Sequence, residues 1–132
     1  MANTTTKTIM VDGSRVHAMH LYLASDGAAG ELSDYVAVDV SALSPATDHV
    51  RIRRVYGLMS GFSLTLEFDA TADQAFITFP DGVFTYLDVT AYGGIEDPEA
   101  TGTTGDIVAT TSGFTAATDV GWLVLEVEKI PS

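Results

Sequence analysis

The sequence predicts an all-β chain folded as an antiparallel β-sandwich, jelly-roll-like, with about eight strands. Three observations carry that expectation. Apolar residues recur with period two, most strictly in Phe62-Ser63-Leu64-Thr65-Leu66-Glu67-Phe68-Asp69, where every even position is apolar. A convincing helical stripe is hard to find. Turn-forming clusters punctuate the strand-like runs, and Pro80-Asp81-Gly82 is the strongest of them.

Taken in order, residues 1–14 stand apart as an N-terminal arm. Thr4, Thr5, Thr6, Lys7 and Thr8 are polar, mostly β-branched and uncharged except at Lys7. Such a stretch reads either as a frayed terminus or as an arm that becomes ordered on a partner by adding to a sheet edge. Residues 15–132 read as one β-sandwich domain, because no linker-like boundary or internal repeat divides them.

Within that domain Arg15 to Leu23 is the first strand, with apolar residues on both faces. Ser25-Asp26-Gly27-Ala28-Ala29-Gly30 then turns the chain. Leu32 to Val40 alternates, placing Leu32, Val36, Val38 and Val40 on one face; Asp34 is out of pattern. Ser41-Ala42-Leu43 has room for one helical turn before Pro45. Val50 to Leu58 and Phe62 to Asp69 follow as strands, then Ala75 to Phe79 and Val83 to Val89 around the Pro80 turn. Ala91 to Gly105 is the longest irregular stretch, of a length that is usually functional or mobile in a compact domain. Asp106 to Thr111 and Trp122 to Lys129 close the set.

Composition limits the function classes. Eighteen Asp and Glu against six Lys and Arg give a formal charge of −12, which repels nucleic acid and anionic membrane surfaces. No nucleic-acid or membrane partner is therefore expected, and the acidity favours solubility. The chain has no cysteine, so it has neither disulfides nor thiolate metal ligands. The first residues contain no apolar signal segment, so synthesis in the cytoplasm is expected.

Catalytic signals are weak. His17 and His20 are three apart and point to opposite faces of a strand, so they cannot chelate one ion. His49 lies beside Asp48 at a strand start, and a zinc site would need it to converge with one of the others and a carboxylate. No Gly-x-Ser-x-Gly elbow exists, and Gly102-Thr103-Thr104-Gly105 is followed by Asp106 in place of the lysine of a phosphate loop. Glu96, Asp97 and Glu99 cluster in the long loop without the spacing of a calcium hand; a solvated cluster is the alternative to an ion or glycan site. No enzyme, cofactor or metal is expected.

Arg51, Arg53 and Arg54 make up half of the positive charge. Arg51 and Arg53 point to one face, opposite Val50 and Ile52. They either pair with carboxylates on neighbouring strands or dock an acidic partner surface. Trp122, Tyr86 and Tyr92 are aromatic enough to stack on sugars, although core packing is the simpler expectation for them.

In order along the chain, Ser25-Asp26-Gly27, Val38-Asp39-Val40-Ser41-Ala42-Leu43, Leu66-Glu67-Phe68-Asp69-Ala70, Tyr92-Gly93-Gly94-Ile95 with Asp97-Pro98, Thr104-Gly105-Asp106-Ile107 and Thr110-Thr111 form a series. That series, spanning about Arg15 to Lys129, resembles a family of small virion structural proteins of tailed bacteriophages. The resemblance implies a capsid decoration, or cement, protein that binds the major capsid protein on the outside of a phage head, as a homodimer or homotrimer. Its location would then be the virion surface, and it carries over no catalytic residues. The candidate partner-binding residues are Thr4 to Thr8 of the arm and Arg51, Arg53 and Arg54. A tail, head-fibre or connector component is the alternative within the same class. A carbohydrate-binding β-sandwich module is the alternative outside it.

Overall fold

Among the described residues, ten strands in two antiparallel sheets face each other across one apolar core. The computed structural model describes residues 3–28, 30–33, 35–43, 49–96, 98 and 101–130, with the His49 side chain left aside. The strands are β1 (Thr4–Asp12), β2 (Val16–Ala24), β3 (Tyr35–Val38), β4 (His49–Ser60), β5 (Ser63–Phe68), β6 (Gln74–Phe79), β7 (Thr85–Asp88), β8 (Ile95–Glu96), β9 (Ile107–Ser112) and β10 (Val120–Ile130). Sheet A has the order β1-β2-β10-β4-β7, with β8 also on β4; sheet B has the order β3-β9-β5-β6. The chain passes repeatedly from one sheet to the other, which gives the jelly-roll-like sandwich that the patterning predicts.

The eight expected strands all form, and β1 and β8 are additional. β5 shows the alternation in its purest form: Leu64, Leu66 and Phe68 are buried while Ser63, Thr65 and Glu67 lie between them at the surface. Phe62 and Phe114 close one end of the core with ring centroids 4.5 Å apart. Gly61, in the β4–β5 turn, has φ +92°, and a Cβ there would collide with the Asp119 carboxylate. Only glycine fits that position.

Two strands depart from the expected phase, each through a bulge. In β3, Val36 pairs with Val108 and Val38 with Ile107, so Ala37 is the extra residue. Ala37 is consequently buried and Val36 is 40% exposed, which corrects the expected common face of Val36 and Val38. In β4, Glu126 lies opposite Arg54 and Val127 opposite Ile52, so Arg53 is extra. Val50, Ile52 and Val55 all stay buried as a result, and Arg51, Arg53 and Arg54 share the outer face.

Residues 4–12, expected as part of an arm, form a nine-residue strand along β2 from Thr4 opposite Ala24 to Asp12 opposite His17. The ladder slips at Met10. Nearly the whole strand is exposed, with Ile9, Met10 and Val11 at about half of their full exposure. The expected helical turn is realised as a 3-10 turn at Val40–Ala42, where the Asp39 carboxylate accepts a hydrogen bond from the Ser41 N–H. That contact and the Ser41 hydroxyl lower the Asp39 pKa. The stretch from Ala91 to Gly105 holds a second 3-10 turn, Thr90–Tyr92, and the short β8.

Candidate interaction surface

The side chains that distinguish this molecule lie on the outer face of sheet A. Pairing register puts Thr6, Tyr22, Trp122 and Leu58 in one row across the sheet. The next row is Thr8, His20, Val124, Tyr56 and Tyr86. Tyr56 and Tyr86 stack at 5.7 Å, Tyr56 meets Trp122 edge-on at 6.1 Å, and Trp122 stacks on His20 at 6.3 Å. Phe84 tilts against Trp122 at 6.4 Å. Phe84 and Tyr86 are 56% and 53% exposed, and Tyr22, Val83 and Val120 are also open to solvent. A monomeric surface seldom carries a contiguous apolar patch of this kind without a use for it. Trp122 and Tyr86, expected in the core, are therefore outside it, and Tyr92 is 86% exposed on its 3-10 turn.

The other half of the same face is an ionic ladder. Arg54 donates to Glu126 at 2.9 Å and Arg51 to Glu128 at 3.1 Å. Arg53 Nε lies 3.5 Å from Glu126, an ion contact without a hydrogen bond. Arg15 approaches Glu128 at 3.6 Å and Glu96 approaches Arg51 at 3.9 Å. Hydrogen bonding to Glu126, then to Tyr86, raises the Arg54 pKa further. Asp88, opposite Arg54, is lowered chiefly by the Thr90 hydroxyl and N–H. The arginines of the sequence analysis are thus paired with carboxylates of neighbouring strands. Ion pairs this exposed contribute little stability.

Among the described residues four cations and four carboxylates on this face cancel, whereas the chain as a whole carries a formal charge of −12. The aromatic half carries no acidic residue in its aligned rows. The outcome is a neutral, half-aromatic sheet on an otherwise strongly acidic body. Of the five arm residues, Thr6 and Thr8 extend the aromatic rows and Thr4 lies opposite Ala24 beyond them. Lys7 turns instead to the Ala37 carbonyl, 3.3 Å away.

A cleft of about 220 Å³ opens where β1 passes β3, lined by Lys7, Ile9, Ala37, Val38 and Leu43 among others. At its inner end Lys129 Nζ donates to Asp12 and to the Gly13 carbonyl, both at 2.6 Å. His17 Nδ1 lies 3.4 Å from the same Asp12 oxygen. Burial lowers the His17 pKa, against the opposing pull of Asp12. His17 is thus on the inner face and His20 on the outer, as their spacing requires. Asp34, Asp48, Asp97 and Glu99 lie outside the described residues. Among the described residues no His, Asp and Glu cluster could hold a metal ion, and no helix is long and apolar enough to cross a membrane.

No family model matches this chain, and no curated protein matches it. Among solved structures it is similar to a cupin domain from Bordetella pertussis Tohama I, at 11% identity over 96% of each chain with a TM-score of 0.38. It is similar to an RmlC-like cupin family protein with a double-stranded β-helix fold from Methanocaldococcus jannaschii, at 10% identity over 96% of this chain and 80% of that one, TM-score 0.36. A family 11 carbohydrate-binding module from Clostridium thermocellum, in complex with a β-1,3-1,4-mixed-linked tetrasaccharide, gives 13% identity, 100% and 85% coverage and a TM-score of 0.35. With TM-scores below 0.5, these likenesses carry no argument about binding or catalysis.

Proposed function

We propose that this chain is a decoration protein of a tailed-phage capsid, which lays the outer face of sheet A on the major capsid protein and stabilises contacts between capsomers. The observation that supports this reading is the segregation of charge: an acidic molecule keeps one broad sheet face neutral and aromatic. Docking by that face desolvates rings and already-paired charges, while the acidic remainder stays in water. Four strands about 4.8 Å apart and about 30–40 Å long, with the short β7 beside them, offer roughly 600 Å², close to the roughly 800 Å² per partner of a stable interface. The phage assignment itself rests on the residue series that resembles virion structural proteins. The acidic body suits a protein that must stay soluble until it meets the shell.

The test is the copy number of this chain in purified particles, measured against the major shell protein, together with particle heat stability with and without it. Many copies and a less stable head without them are expected. A few copies per particle would instead indicate a tail, head-fibre or connector component. Tyr86→Lys with Phe84→Lys is expected to abolish binding to undecorated heads while leaving the monomer folded.

A second reading is favoured by the position of Trp122 and Tyr86 outside the core: a carbohydrate-binding module that stacks sugars on these rings. It predicts glycan-array binding that Trp122→Ala removes. An array without signal would eliminate it.

A further inference from the structure

We infer that two copies of this chain associate through antiparallel pairing of their β1 strands, joining both A sheets into one continuous sheet about a two-fold axis. This does not depend on what the aromatic face binds. Three features of β1 support it. First, β1 is the terminal strand of sheet A, and among the described residues no strand pairs with its outer side. At nine residues it is the longest terminal strand, against four in β3, six in β6 and four in β7. It contains no proline, so each of the alternate backbone N–H groups that point away from β2 is a potential donor.

Second, β1 overhangs the sandwich. Its burial is exposed at almost every position, including Ile9, Met10 and Val11 at about half exposure. The cleft beside β3 lies directly under it, with Ile9 on its rim. A second β1 laid along this edge would bring its own Ile9 to the same overhang.

Third, the charge suits a second copy specifically. Two molecules of charge −12 repel each other over most of their surfaces, yet Thr4 to Val11 holds no acidic residue. Its one charge, Lys7, is turned to the Ala37 carbonyl. Lysines and bulges usually protect edges from pairing, but here the lysine is tied down and the slip at Met10 lies near one end. A two-fold axis normal to the sheet would keep both aromatic faces on one side. The dimer would then present two docking faces in one plane, and paired docking multiplies modest affinities.

The absence of cysteine makes the test direct. In an antiparallel self-pair, residues at the axis face themselves with Cα atoms about 5 Å apart, within disulfide reach. Each step away from the axis separates the two copies of a position by about 7 Å more. Single cysteines at each of Thr4, Thr5, Thr6, Lys7, Thr8 and Ile9, with Gln74→Cys on β6 as control, are oxidised and scored for covalent dimer. Sedimentation of the unmodified chain is measured up to about 100 µM, a range suited to a micromolar edge contact. The expected result is a dimer of the 13.9 kDa chain and cross-linking that peaks sharply at one or two adjacent β1 positions. A chain that stays monomeric, or β1 cysteines that cross-link no better than Gln74→Cys, would overturn the inference. So would a dimer that Phe84→Lys with Tyr86→Lys dissociates, because the aromatic face would then be the self-contact.

Discussion

Replacing Lys129 by methionine isolates the lysine that, alone among the lysines and arginines of the described residues, is buried, and that ties the last strand to the first hairpin. The Lys129 side chain is 4% exposed and its Nζ makes two 2.6 Å contacts, to Asp12 and to the Gly13 carbonyl. Methionine keeps most of the buried stem, so the loss is mainly electrostatic. Removing one partner of a fully buried pair costs about 3–5 kcal/mol. Asp12 retains 25% exposure and can be partly rehydrated, so we expect a smaller loss of about 2–3 kcal/mol by urea unfolding at pH 8. The pH dependence adds a second, independent readout. In the native chain burial depresses the His17 pKa, and the Lys129 charge lowers it further against the pull of Asp12. Without Lys129, only burial and the Lys7 charge still oppose the attraction of Asp12 for the imidazolium, and the His17 pKa rises. A protonated His17 then takes the place of the ammonium beside Asp12. The destabilisation by Lys129→Met should therefore shrink as pH falls from about 8 to about 5.5, and NMR should show His17 titrating at higher pH than in the native chain. A loss below about 0.5 kcal/mol, or one that stays constant with pH, would refute the reasoning.

The unsubstituted chain should behave in the opposite sense. Its folded-state His17 pKa is depressed, so the unfolded chain binds more protons below about pH 6.5, and stability falls as pH drops through that point; His17→Gln should flatten this part of a urea-midpoint profile. Gly57→Ala should cost about 2–3 kcal/mol in thermal unfolding, because a Cβ there meets the Trp122 carbonyl oxygen and the Leu123 Cα, which are backbone atoms that cannot swing aside. Phe114→Ala should cost about 3–5 kcal/mol by the same assay, since the ring is fully buried and its loss also removes the contact with Phe62.

The sandwich was legible wherever one face of a strand is wet and the other dry, as in β5. It was less legible in β2, β4 and β10, where apolar residues occupy both faces. The reason is now physical: the outer face of sheet A is itself aromatic, so alternation between wet and dry is muted there. The position of Trp122 and Tyr86 could not be read from their types, because a large ring suits a core and an exposed patch equally well. β1 was hidden for a different reason. Its threonines alternate nothing, and its place on β2 depends on pairing with a strand that the sequence only locates. The partners of the arginines needed β10 beside β4, a contact between residues more than seventy positions apart. The wedge of His17, Asp12 and Lys129 was invisible for the same reason, since it joins the first hairpin to the last strand.

The bulge at Arg53 decides whether the outer face is neutral, and it allows an unusual deletion. Removing one residue from a central strand ordinarily flips every side chain beyond it to the opposite face. Arg53, however, is the residue without a counterpart on β10: Arg54 is opposite Glu126 and Ile52 opposite Val127. Deleting it restores a regular ladder in which Arg51 and Arg54 still point outward and Ile52 and Val55 still point into the core. What is lost is the Arg53 carbonyl, which accepts from the Val89 N–H at 3.0 Å and from the Thr90 hydroxyl at 3.4 Å, together with its contact to Glu126. That should cost about 1–2 kcal/mol. Deleting Tyr56, three residues on, leaves the bulge in place and drives the core residues on one side of it to the surface, so that chain should not fold. Circular dichroism and urea unfolding of the two deletions separate the cases. If the chain lacking Arg53 proved as damaged as the chain lacking Tyr56, the bulge would not be what phases β4, and the neutrality of the face would need another cause.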